Sequence, residues 1–189
     1  MDEQPIQLLR ELRTPIAGTS RHPRRVDDEY ERAGPVSIGM FCEPLVGWRH
    51  VAVRKRRTKV DWAHAMAPRL RTRSRSAGKV RGVCDTLNTQ TQGAFYEAFE
   101  PATARELVRR VEFCYTPKQG RWLHIAEHER SAMTRPCVTD RRFATVEELR
   151  IQTTAWHEQR NARQRMVDWQ FKVDDARVKL KSIYPKLEV

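Results

Sequence analysis

Short apolar runs alternate with stretches of helical spacing along this chain, and that alternation limits the folds open to it. Val36 to Glu43 is apolar and short, which predicts a strand. Trp48 to Val53 alternates through Trp48, His50 or Val51, and Val53, which predicts a second. Between them, Glu43-Pro44-Leu45-Val46-Gly47 supplies hairpin turn residues. Lys59 to Leu70 sets Val60, Ala63, Met66 and Ala67 at helical spacing, and the Arg/Ser-rich stretch from Arg71 to Gly78 reads as a loop. Lys79 to Cys84 is a buried-strand candidate that ends at Asp85. Gln90 to Arg110 carries two helical patches joined at Pro101, and Val111 to Tyr115 is a further strand. Trp122 to Met133, Thr145 to Arg163 and Asp174 to Ile183 read as helices. Residues 1–36 are punctuated by Pro5, Pro15, Pro23, Gly34 and Pro35, so they read as a short strand remnant followed by loop. Strands and helices in this order predict an α/β layered structure.

A chain of 189 residues can bury one sizeable core, and a single domain is expected. The net charge of +12 and a pI near 10.1 call for a polyanionic partner. A mean hydropathy of −0.74 and the lack of a long apolar run argue against a membrane span. Met1 is followed at once by two acids and near a proline, unlike a signal peptide. Cys42, Cys84, Cys114 and Cys137 show no C-x-x-C pairing, so they read as buried side chains or free thiols in a reducing compartment such as the cytoplasm.

Three acids stand in distinctive contexts. Asp2 lies in Met1-Asp2-Glu3-Gln4-Pro5, and Asp85 in Gly82-Val83-Cys84-Asp85-Thr86-Leu87-Asn88-Thr89. Glu127 ends Tyr115-Thr116-Pro117-Lys118-Gln119-Gly120-Arg121-Trp122-Leu123-His124-Ile125-Ala126-Glu127. Hard cations such as Mg²⁺ prefer carboxylate oxygens, and two of them can clamp the attacking and leaving oxygens of a phosphoryl transfer.

With Phe95-Tyr96-Glu97-Ala98-Phe99, Val111 to Lys118, Trp156-His157-Glu158-Gln159-Arg160-Asn161 and Val167-Asp168-Trp169-Gln170-Phe171, these strings fall in an order that resembles a known family. The chain resembles, over nearly its whole length, the DDE transposases of bacterial insertion sequences, in the mariner-like superfamily. The resemblance implies a ribonuclease-H-like fold, a mixed sheet flanked by helices, here with a truncated first strand. It implies that Asp2, Asp85 and Glu127 are catalytic ligands of Mg²⁺ or Mn²⁺, with Asp2 shared by both ions and Glu127 on the second. Glu3 would stand behind them or in solvent. The implied reaction is hydrolysis of a DNA phosphodiester at an element end, then attack of the freed 3′-hydroxyl on target DNA, with no covalent enzyme–DNA intermediate. DNA and a second copy of the chain are the implied partners, at the bacterial nucleoid. The family's N-terminal helix-turn-helix region is not expected within this sequence.

The chain departs from the family pattern at Thr86, Gln90 and His124, where Asn, His and Asn are usual, and at Pro136, which is expected to end the Glu127 helix. These departures support an alternative, a catalytically inactive remnant that binds DNA without sequence preference. From Arg49 to Arg81, twelve Lys or Arg face the single acid Asp61, a net of +11. Arg54, Lys55, Arg56 and Arg57, with Arg71, Arg73 and Arg75, are the candidate phosphate contacts. Lys118 and Arg121 are further candidates, at the start of the Glu127 helix. Trp48, Trp62, Trp122, Trp156 and Trp169 read as packing residues. A minor alternative is a zinc hydrolase, because His124-Ile125-Ala126-Glu127-His128 has the form H-x-x-E-H.

Overall fold

The computed structural model describes residues 1–85, 89–116, 124–179 and 181. Strand β1 (Asp2–Glu11) puts Asp2, Gln4, Ile6 and Leu8 on one face, with Asp2 and Leu8 buried. It pairs antiparallel with β2 (Tyr30–Glu43), from Asp2 opposite Met40 to Glu11 opposite Tyr30, with a register shift between Gln7 and Leu9. Strand β3 (Trp48–Arg54) closes the hairpin on the far side of β2, giving the order β1-β2-β3. The first strand is therefore ten residues long, not the remnant expected. Pro5 does not interrupt it, because β1 is the edge strand of its sheet and an edge position needs no second set of ladder donors.

After β3 comes α1 (Lys59–Arg71), started by a reciprocal cap between Thr58 and Asp61. Strand β4 (Val80–Cys84) then passes through α2 (Gln92–Ala98) and α3 (Pro101–Arg110) to β5 (Val111–Tyr115), which lies parallel to it. Pro101 opens α3 and so separates the two helices, as the sequence predicts. The Met1 α-amine donates to the Val83 carbonyl at 2.8 Å, which sets the start of β1 beside the end of β4. Beside that contact lies an apolar cavity of about 320 Å³, lined by Phe41, Trp62, Leu70, Val80, Val83 and Phe113 among others.

Helices α4 (Ile125–Cys137) and α5 (Val146–Ala162) cover the three-stranded sheet, where Ile38, Met40, Val51, Met133, Leu149 and Trp156 form one core. Phe41, on the opposite face of β2 from Met40, meets the Arg69 guanidinium of α1 at 4.2 Å from its ring centroid. Trp62, Phe95, Leu107 and Val111 form a second core among α1, α2, α3 and β5. Together these make an α/β structure with helices packed on its strands. Pro136 sits in the last turn of α4, which runs one residue past it, and the Thr134 carbonyl takes the closing bonds from the Val138 and Thr139 amides. Helix α6 (Val173–Lys179) buries no residue. Among the described residues no helix is long and apolar enough to cross a membrane. All four cysteines are free thiols. Trp62 and Trp156 are core residues and Trp48 is half-buried, but Trp169 is exposed and touches His128 edge-on, so its expected packing role does not hold.

Two further contacts fix the helices on the sheet. The Asn161 side chain of α5 accepts from the Arg49 amide and donates to the Arg49 carbonyl, each at 2.8 Å, and so caps the open edge of β3. The buried Arg49 side chain forks onto Glu129 of α4, at 2.6 Å from Nε and 2.7 Å from Nη2. That pair ties α4 to β3 two residues beyond Glu127.

Candidate active site

Three elements distant in sequence deliver the three acids. Asp2 is the first residue of β1, Asp85 follows the last residue of β4, and Glu127 lies in the first turn of α4. All three line one cavity of about 180 Å³, together with Glu3, Arg57, His124 and Arg130. Asp2 and Asp85 are buried, at 6 % and 5 % exposure, while Glu127 is partly open to solvent. Burying carboxylates is unfavourable unless cations or donors meet them.

Arg130 meets two of them. It sits one turn after Glu127 on α4, and its guanidinium uses all three nitrogens on the site. Nε donates to the Asp2 carboxylate, Nη1 to Gln4 Oε1 at 2.7 Å, and Nη2 to Glu127 Oε1 at 3.5 Å. The Thr134 hydroxyl donates to the Arg130 carbonyl at 2.9 Å and lies 3.3 Å from Gln4 Oε1. The sequence reading missed Arg130. The one local signal for it is the three-residue spacing from Glu127.

Glu3 is a wall of the cavity and not a solvated acid. It accepts from the Thr89 hydroxyl at 3.0 Å and from the Gln90 amide at 3.4 Å. Burial raises its carboxyl above the ordinary 4.5, against the pull of those two donors and of Arg57, and the Asp85 charge adds to the rise. Gln90 is fully buried, and its backbone carbonyl takes the Tyr115 hydroxyl at 2.9 Å. Gln90 and Thr89 thus hold Glu3 in place.

His124 caps the start of α4 with an extended backbone and is buried against the cavity. His128 is exposed, its ring centroid 5.8 Å from that of Trp169, and it does not line the cavity. His124 is the N-cap residue of α4, ahead of its first helical turn, and His128 lies within the helix. His124 and Glu127 share the site, and the H-x-x-E-H string does not bring His128 to them.

The basic stretch divides in two. Arg57 is a wall of the acid cavity, and Arg54 and Arg56 line an adjoining cleft with Met1 and Glu3. Lys55 is exposed next to them. Arg71, Arg73 and Arg75 do not line the cavity. Arg73 pairs with Glu43 at 3.0 Å and lies over the Trp48 ring, Arg71 lies over Phe99, and Arg75 is exposed. Thr86, Lys118, Arg121 and Trp122 lie outside the described residues.

The carboxylate set suits a hard divalent cation in its chemistry. A positive group already holds the place between Asp2 and Glu127, the Arg130 guanidinium. In this arrangement no three His, Cys, Asp or Glu among the described residues stand close enough to hold one ion. No protein-family model, curated protein or solved structure matches the chain.

Proposed function

We propose that the chain is the catalytic domain of a DDE-type DNA transposase with a ribonuclease-H-like fold, cutting DNA phosphodiesters and joining 3′ ends at the bacterial nucleoid. The observation that carries this reading is the convergence of Asp2, Asp85 and Glu127 on one cavity. The antiparallel order β1-β2-β3, the parallel pair of β4 and β5, and the Met1 amine on the Val83 carbonyl support the fold.

Asp2, Asp85 and Glu127 are the residues that would hold Mg²⁺ or Mn²⁺. When bound, such ions supply activation of the attacking hydroxyl and stabilisation of charge on the phosphate. The chain's own groups do the rest. Arg57, with Arg54, Arg56 and Lys55 beside it, receives the DNA backbone at the cavity mouth without reading bases. Gln90 and Thr89 hold Glu3 against the wall. Arg49 and Glu129 fix α4, and with it Glu127, on the sheet.

A second reading is favoured by one observation: Arg130 already neutralises Asp2 and Glu127. In that reading the domain binds DNA through its basic stretch and does not cut it. Nicking of supercoiled DNA separates the two. Metal-dependent nicking by the wild type, lost in Asp85→Asn, supports the transposase reading. Salt-sensitive DNA binding with no nicking in either protein supports the inactive form.

A further inference from the structure

Arg130 contacts the two acids that a metal would need. Its Nε is on Asp2 and its Nη2 is 3.5 Å from Glu127 Oε1, so one guanidinium occupies an oxygen of each acid. Four carboxylates (Asp2, Glu3, Asp85 and Glu127) and two guanidiniums (Arg57 and Arg130) face the cavity, leaving a formal charge of −2. A divalent ion entering between Asp2 and Glu127 would stand against a fixed positive charge at contact distance. Gln4 strengthens that hold, since its Oε1 accepts from Arg130 Nη1 at 2.7 Å. The Arg130 side chain nonetheless keeps 19 % of its surface exposed, so it has a way out to solvent.

We propose that Arg130 is an internal cation that competes with the divalent metal for Asp2 and Glu127, so the site loads metal only when the guanidinium is displaced. This rests on the reading of the three acids as a metal site. The guanidinium keeps the carboxylates apart from one another's charge in the metal-free protein, and the same contacts weaken metal binding.

The test is Mn²⁺ titration of the full chain, followed by the electron paramagnetic resonance of free Mn²⁺, on wild type, Arg130→Met, and Arg130→Met with Asp2→Asn. Removing one charge-assisted partner should tighten Mn²⁺ binding in Arg130→Met by roughly tenfold or more. The added Asp2→Asn change should abolish that gain. Equal Mn²⁺ affinity in wild type and Arg130→Met, lost with Asp2→Asn, overturns the competition and leaves the metal site standing. No Mn²⁺ binding by any of the three overturns both. A second measurement reads the wild type directly and uses a conservative variant only to assign the signal. In ¹⁵N-arginine-labelled wild type, the Arg130 Nε–H resonance, assigned against Arg130→Lys, should shift as Mg²⁺ saturates the site. A resonance unmoved at saturating Mg²⁺ overturns the proposal.

Discussion

Glu129→Ala should be among the most destabilising single changes in this domain. The Glu129 carboxylate receives Arg49 Nε at 2.6 Å and Nη2 at 2.7 Å, and the Arg49 side chain is 5 % exposed. Without the carboxylate, the guanidinium keeps, among the described residues, its bond to the Gly47 carbonyl at 2.8 Å. A buried charge stripped of its partner costs about 3–5 kcal/mol. At roughly 2–4 °C of melting temperature per kcal/mol for a domain of this size, the variant should melt about 6–20 °C below wild type. Circular dichroism melts at pH 7, with urea titration for the free energy, measure both. Replacing the pair together, Arg49→Met with Glu129→Leu, should recover most of the loss, because an apolar pair needs no counter-charge. A loss below about 1 kcal/mol in Glu129→Ala would refute the argument, since that is what a solvated surface pair contributes.

Glu3 gives a pH prediction. Its carboxyl titrates above the ordinary 4.5 in the folded chain, so the folded state keeps a proton that the unfolded state has lost. Its contribution to stability therefore falls as pH rises from below 4.5 through the raised value. Glu3→Gln should gain melting temperature over wild type at pH 7 relative to pH 4, and a difference constant with pH would contradict it. Changing Arg54, Lys55, Arg56 and Arg57 together to Ser should flatten the salt dependence of DNA binding by about 3–4 in log–log slope. Fluorescence anisotropy at several salt concentrations reads this, and an unchanged slope would remove the segment from the interface. Gly47→Ala should destabilise the β2–β3 turn by about 1–3 kcal/mol, seen as a lower urea midpoint. Gly47 has φ +69°, and an added Cβ would meet the Gln164 carbonyl at 2.8 Å.

Elements with local signals were legible in the sequence. The β2–β3 hairpin, the α2–α3 break at Pro101, and β4 ending at Asp85 all follow from residues close together in the chain. Strand β1 was hidden, because Pro5 and the polar Gln4 and Gln7 suit a strand only where a partner and an edge are known. That partner begins at Tyr30, beyond a long loop. The three acids that line one cavity were singled out by a resemblance, and the groups that meet them had no local signal of that kind. Arg130 reaches Asp2 across 128 residues, and Arg49 reaches Glu129 across 80. Those pairings exist only once β1, β3 and α4 have packed. Pro136, by contrast, is a local signal: it stands in the last turn of α4, which ends one residue beyond it.

The claim that three acids converge on one metal position is tested most directly by Fe²⁺-directed backbone cleavage. Fe²⁺ substituting at the site, with ascorbate and peroxide, generates radicals that cut the nearest backbone. The account predicts cuts at the start of β1 near Asp2, at the end of β4 near Asp85, and in the first turn of α4 near Glu127, all suppressed by excess Mg²⁺. Cuts confined to the region of His128 and Trp169, or cuts that excess Mg²⁺ leaves unchanged, would contradict it.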